Sequence, residues 1–296
     1  MALLDGQHLI ASFYTLSGAP VFEPARHPFA DRVAAAAAAG FTGIGITPDD
    51  VDATLAAGLS RADLRAILTE HGVAIAELEG TGEWYLLDER GAASRREEER
   101  LHALADLFGP CQMNVGVIGD AGAQLPRETM IERFAALCDR AAPYGIVVVL
   151  EPLVIGTLQT VAEAVAIVVG AARRNGGVLI DSYHVFRGPE ALQEALAPVT
   201  PEHVRAIQLN DARAQPRGSI YEDCCNHRVV PGEGELALVD LLVGLDRAGL
   251  DLPIAIELMS AELRALPIDE AARRVAAQTR AVLAAARVAS GLGAGS

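Results

Sequence analysis

The sequence predicts a single closed (β/α)8 barrel, and three observations carry that prediction. Short β-type runs alternate with longer Ala/Leu/Arg/Glu segments of helical periodicity from one end of the chain to the other. Several short runs are continuously apolar, as in Ile146-Val147-Val148-Val149-Leu150, which suits parallel strands covered on both faces. No linker rich in Pro, Ser or charge interrupts the 296 residues, a length that one barrel of about 250 residues largely fills. The barrel is expected over residues 1–290, with residues 291–296 as a flexible tail.

The elements follow in order. A first strand, Leu9–Tyr14, precedes an Ala-rich helix near 28–39 that ends at Ala39-Gly40. A second strand, Thr42–Ile46, leads to a helix near 60–71 stopped by His71-Gly72. The third and fourth strands, Ala74–Glu79 and Gln112–Val117, alternate with helices near 92–108 and 126–142. The apolar fifth strand, Ile146–Glu151, starts just after Tyr144-Gly145, and its helix near 159–174 ends at Asn175-Gly176-Gly177. Strand six, Val178–Asp181, pairs with a helix near 188–196, and strand seven, Arg205–Leu209, with one near 236–248 ending at Ala248-Gly249. Strand eight, Ile254–Glu257, and a helix near 268–288 close the series. Glycine just past a helix is the C-cap signal of such connections. An open dinucleotide-binding sheet is disfavoured, because no G-x-G-x-x-G follows the first strand. Residues 210–235 form an unusually long polar connection, the kind of loop that carries function.

Composition narrows the function classes. A net charge of −15 with no basic cluster beyond Arg95-Arg96 argues against nucleic acid and anionic membrane as partners. No window approaches the roughly 18 apolar residues of a membrane span, and the N-terminal stretch lacks a signal-peptide pattern. Cys111, Cys138, Cys224 and Cys225 have no disulfide-framework spacing, so a reduced cytoplasmic setting is expected. The adjacent Cys224 and Cys225 lack a paired base and are given no catalytic role.

In a barrel, side chains at the C-terminal strand ends converge on one mouth. Here Glu151, Asp181 and Glu257 end strands five, six and eight, and strand seven carries Gln208. A lone rim acid can simply cap a helix or pair with an arginine. Three carboxylates meeting at one rim repel one another, and a divalent cation relieves that repulsion. Three carboxylates plus an amide oxygen form an all-oxygen set suited to Mg²⁺, Mn²⁺ or Ca²⁺ rather than Zn²⁺, with Co²⁺ also accommodated and Mn²⁺ or Mg²⁺ the expected choice. Glu77 and Glu79 on strand three, and Trp84 after it, are candidates for lining the mouth, with Trp84 covering the apolar face of a sugar ring.

Glu151-Pro152, Asp181-Ser182-Tyr183-His184, Gln208-Leu209-Asn210-Asp211, His227-Arg228 ahead of Pro231-Gly232-Glu233-Gly234-Glu235, and Glu257 together resemble the xylose isomerase-like barrel superfamily. Within it the sequence is similar to the sugar phosphate isomerase/epimerase group, which includes hydroxypyruvate isomerase, inosose dehydratase, 3-dehydroshikimate dehydratase and ketose 3-epimerases. The resemblance implies metal ligation by Glu151, Asp181, Gln208 and Glu257 and substrate binding by His184 and Arg228. It further implies that Glu151 and Glu257 are the catalytic pair that removes and returns a proton beside a metal-polarised carbonyl. Many members carry His where this chain has Gln208, and that departure weakens assignment to the ketose 3-epimerases.

The leading expectation is a divalent-metal-dependent isomerase or epimerase of a small keto sugar, polyol-derived ketone or hydroxy-keto acid. The alternatives are a metal-dependent dehydratase of a cyclic ketone and a catalytically silent barrel serving as a partner subunit. The Ala-rich outer helices would also permit a homo-oligomer.

Overall fold

The structure, a computed structural model, describes residues 3–80, 82–118 and 125–291; the expected tail therefore falls outside the described residues beyond Gly291. Eight parallel strands close into a barrel in sequence order: β1 (Leu9–Ala11), β2 (Gly43–Ile46), β3 (Ala74–Glu79), β4 (Gln112–Gly116), β5 (Val147–Glu151), β6 (Gly176–Asp181), β7 (Val204–Leu209) and β8 (Ile254–Ile256). Pairing of β8 with β1 through Ile10↔Ala255 completes the ring.

Strand alternation divides each sequence between two cores. Outward-facing Val148, Leu150, Val178, Ile180, Ile207, Leu209, Ile254 and Ile256 join the large buried cluster formed with the surrounding helices. Inward-facing Val149, Leu179 and Ala206, with Val147 beside them, form a separate apolar plug inside the barrel. Two residues further along the same strands, the interior turns polar: Glu151 follows Val149, Asp181 follows Leu179 and Gln208 follows Ala206. The register sets Asp181 beside Gln208, Gly116 beside Glu151 and Glu79 beside Asn114.

The first expected strand is shorter than its sequence suggests. β1 stops at Ala11, and Phe13–Leu16 forms one helical turn. Ser12 N–H and Thr15 Oγ1 both donate to Ile256 O, at 3.0 and 2.7 Å, so tertiary bonds override the β propensity of Phe-Tyr-Thr. This turn lies against β2 at Gly45, where an added Cβ would stand 2.7 Å from Phe13 N. The expected helix near 188–196 is instead two short helices, Ser182–Arg187 and Leu192–Leu196. A helix the sequence reading left out, Pro48–Ala56, has Thr47 as N-cap and Pro at its first position. No helix among the described residues is long and apolar enough to cross a membrane.

Candidate active site

The long connection after β7 folds back over the barrel mouth. It contains a helix, Ile220–Asn226, capped by Ser219, and is held by antiparallel bridges Asp211↔Val229 and His227↔Ser260. Asp211 organises the turn that follows: its carboxylate accepts from Ala212 N–H at 2.8 Å and from Gly232, Gly234 and Leu236 N–H at 3.0 Å each. Gly234 is required there, because an added Cβ would meet Asp211 Oδ1 at 2.2 Å. The Pro231–Glu235 motif thus wraps its amides around Asp211. Between the two bridges, Arg228 is driven inward and is 0% exposed.

Arg228 meets the strand-end acids directly. Its Nη1 donates to Asp181 Oδ2 at 3.0 Å and to Glu257 Oε2 at 2.9 Å, Nε donates to Cys224 O at 3.0 Å, and the guanidinium stacks 4.8 Å from the Tyr183 ring centroid. Asp181 has a second duty: Oδ1 caps the helix Ser182–Arg187 by accepting from Tyr183 and His184 N–H. Its Oδ2 also accepts from Asn210 Nδ2 at 2.8 Å, a partner the sequence reading did not single out.

His184 Nδ1 faces Val154 N–H at 3.2 Å, while Nε2 lies 3.3 Å from Arg228 Nη2 and 3.7 Å from Glu151 Oε1. Burial pushes this imidazole down to about 3, with Arg228 adding to the effect against the opposing pull of Asp181, so it is neutral at physiological pH. Val154 N–H and the Arg228 guanidinium are both donors, so the neutral ring accepts at one nitrogen and carries its proton on the other. Glu151, Asp181 and His184 do offer ligand atoms within 4.8 Å of one another, a spacing able to hold a metal ion.

Glu151, His184, Arg228 and Glu257 open onto a cavity of about 210 Å³, whose lining does not include Asp181. Glu79, Asn114, Glu151, His184, Arg228 and Glu257 supply its polar lining, and Tyr14, Phe22, Ile118, Leu153, Tyr221 and Met259 much of the rest. Cys224 and Cys225 also line it, and Cys224 Sγ accepts from Arg228 Nη2 at 3.2 Å. Trp84 stands elsewhere. Its indole is 3% exposed, donates to Gly116 O at 2.8 Å and packs edge-on against Phe134, so the position expected to cover a sugar is filled by core packing.

Gln208 lies outside the cavity lining and is completely buried. Its Nε2 faces Glu77 Oε1 at 3.3 Å and Ser12 Oγ at 3.4 Å, while Oε1 has no hydrogen-bond partner. Glu77 also accepts from Ser12 Oγ at 2.5 Å and Gln112 Nε2 at 2.9 Å.

The electrostatics are one-sided. Glu77, Glu79, Glu151, Asp181 and Glu257 gather in the interior, and among the described residues Arg228 is the one guanidinium lining the cavity. Burial and neighbouring acids raise Glu79 and Glu151 well above the ordinary carboxylate range. Burial lifts Glu257 to about 8, against the opposing influence of Arg228, and lifts Glu77 to about 7. Glu79 Oε1 and Glu151 Oε1, like Gln208 Oε1, are buried without hydrogen-bond partners.

Known proteins share this architecture. Inosose isomerase of Bacillus velezensis is 27% identical over 161 residues, covering 53% of this chain and 55% of that protein; the chain thus spans about half the length of the curated relatives it matches. The IolI protein solved with a binding zinc atom superposes with a TM-score of 0.80 at 20% identity, over 94% of this chain and 98% of that one. D-psicose 3-epimerase, solved in the presence of D-fructose, gives a TM-score of 0.69 at 17% identity, over 93% and 99% respectively. At these identities the two structures share the fold. A family model described as Xylose isomerase-like TIM barrel matches residues 33–283, which include every strand from β2 to β8 and the loop bearing Arg228, and on that match the chain belongs to the xylose isomerase-like TIM barrel family.

Proposed function

We propose that this protein is a divalent-metal-dependent isomerase or epimerase of a small polyhydroxy ketone, with Glu151, Asp181, Gln208 and Glu257 as the metal ligands. The observation that carries the reading is the excess of buried carboxyls over cations, with buried oxygens of Glu151 and Gln208 that have no donor to face. A buried oxygen without a partner is costly, and a coordinated cation is one way to satisfy it. Three carboxylates and an amide make an all-oxygen set, for which Mn²⁺ or Mg²⁺ is preferred. A bound cation would polarise the ketone and stabilise the charge that develops when the neighbouring C–H is deprotonated.

The chain's own residues account for the proton traffic. Glu151 and Glu257 both line the cavity. Burial raises the proton affinity of both, Glu257 to about 8, and a carboxyl that holds a proton more tightly can return it as well as take it. His184 and Arg228 are suited to hydrogen-bond substrate hydroxyl or carbonyl oxygens. Glu79, which lines the same cavity, would bind a further hydroxyl. The relatives named as an inosose isomerase and an epimerase of ketohexoses support a polyol ketone as substrate. The four free, buried cysteines suit a reducing cytoplasm.

The test is turnover in D₂O. Metal-stripped protein restored with Mn²⁺ should place solvent deuterium on the carbon beside the carbonyl of an inosose or a ketohexose, and chelation should stop it. Growth of an enone absorbance without isomer would support the dehydratase instead. Exchange that continues unimpaired after exhaustive chelation would end the metal reading.

A further inference from the structure

Glutamine is an ambiguous ligand. One end of its amide is an oxygen able to coordinate a cation, the other an NH₂ group that a cation repels, and a half-turn about the last side-chain bond exchanges them. The surroundings of Gln208 remove that choice. Ser12 Oγ has one proton and spends it on Glu77 Oε2 at 2.5 Å, so towards Gln208 it presents a lone pair. The Glu77 carboxylate accepts from Ser12, Gln112 and Gln208. Gln112 Nε2 is fixed in turn by Asn114 Oδ1 at 2.9 Å. A reversed amide would set Oε1 against two acceptors and leave NH₂ where no partner awaits it.

We propose that Glu77 and Ser12 are positioning residues that lock the Gln208 amide, holding its Nε2 so that Oε1 alone is presented to the cation. This rests on Gln208 being a metal ligand, as argued above. Neither Ser12 nor Glu77 lines the cavity, so neither acts by touching substrate. The arrangement does for an amide ligand what a carboxylate does when it holds the distal N–H of a ligating histidine.

The test is a double-mutant cycle read by calorimetric titration with Mn²⁺ alone, with metal-free circular dichroism to establish folding. In Glu77→Gln the new amide can donate to Gln208 Oε1 as readily as accept from its NH₂, so both orientations become open. Mn²⁺ affinity should fall about 10- to 100-fold. The same substitution in a Gln208→Ala background should change affinity less than about twofold, because there is no amide left to orient. A weakening of equal size in both backgrounds would mean that Glu77 acts only by its charge, and overturns the proposal. So would unchanged affinity in Glu77→Gln when Gln208→Ala binds weakly. If the parent binds no Mn²⁺, or Gln208→Ala binds as well as the parent, the ligand reading itself fails and takes the lock with it. Should Glu77→Gln not fold, Ser12→Ala serves in the same cycle: it removes one of the two acceptors and should weaken Mn²⁺ roughly three- to tenfold only when Gln208 is present.

Discussion

Replacing Arg228 with Met would separate the guanidinium that compensates the buried acids from the metal ion proposed to do the same. The guanidinium bridges Asp181 and Glu257 at 3.0 and 2.9 Å in a wholly buried setting, and it also donates to Cys224 O. Met preserves much of the volume over Tyr183 but leaves two buried carboxylates uncompensated. Removing one partner of a buried ion pair costs about 3–5 kcal/mol. At about 2.1 cal/mol/K per residue over 296 residues, that lowers Tm by roughly 5–8 °C for metal-free protein. Mn²⁺ should then recover more stability in the variant than in the parent, because in the parent it must draw the same carboxylates away from Arg228. The assay is thermal denaturation with excess EDTA and again with saturating Mn²⁺. A metal-free Arg228→Met protein as stable as the parent, or one whose Mn²⁺ shift is no larger, would refute the idea that guanidinium and metal compensate the same acids.

Three further outcomes follow from the geometry. Asp211→Ala leaves the amides of Gly232, Gly234 and Leu236 without their acceptor, and should cost about 2–3 kcal/mol. It should also speed tryptic cleavage at Arg213 and Arg217, and unchanged proteolysis would argue against Asp211 as the organiser of this loop. Metal-free stability should fall with rising pH, because Glu77 (about 7) and Glu257 (about 8) bind protons more tightly folded than unfolded. Their contribution is complete below about pH 4.5 and is lost as pH climbs through 7 to 8; urea midpoints across that range should decline, and a rise would contradict the assignment. Among the four thiols, Cys225 should alkylate first, since the hydrogen bond from Cys224 and the nearby Arg228 draw it down to about 7 while burial holds Cys111 and Cys138 up near 12. Peptide mapping after limited iodoacetamide treatment checks this, and earlier labelling of Cys111 or Cys138 would refute it.

Much of this was legible in the residues because a parallel barrel writes itself twice. Apolar runs mark its strands, and the first polar residue after each run marks its mouth, so Glu151, Asp181 and Glu257 could be placed before any coordinates. What escaped depended on long-range partners. Phe13-Tyr14-Thr15 carries strand propensity, and only the bond from Thr15 to Ile256 O makes it helical. Trp84 was drawn towards the mouth by its rarity and its neighbours, but Gly116 O supplies a buried acceptor that no local pattern reveals. Arg228 could be linked to the site only through its motif, since its ion pairs exist because two bridges fold the loop back. Glu77 was expected beside Glu79 at the mouth; two residues earlier on the same strand it does point inward, but one layer deeper, where Ser12 and Gln112 hold it outside the cavity lining. The signals for the helix Pro48–Ala56 were present as well, in Thr47-Pro48 followed by two aspartates.

The central claim is that oxygens from the last four strands gather around one cation. An anomalous-difference map from a crystal soaked in Mn²⁺ tests it most directly. The account predicts one strong peak within about 2.6 Å of carboxylate oxygens of Glu151, Asp181 and Glu257 and of Gln208 Oε1, with Arg228 Nη1 withdrawn from Asp181. A map with no peak there, and Arg228 still bridging Asp181 and Glu257 at saturating Mn²⁺, would contradict it.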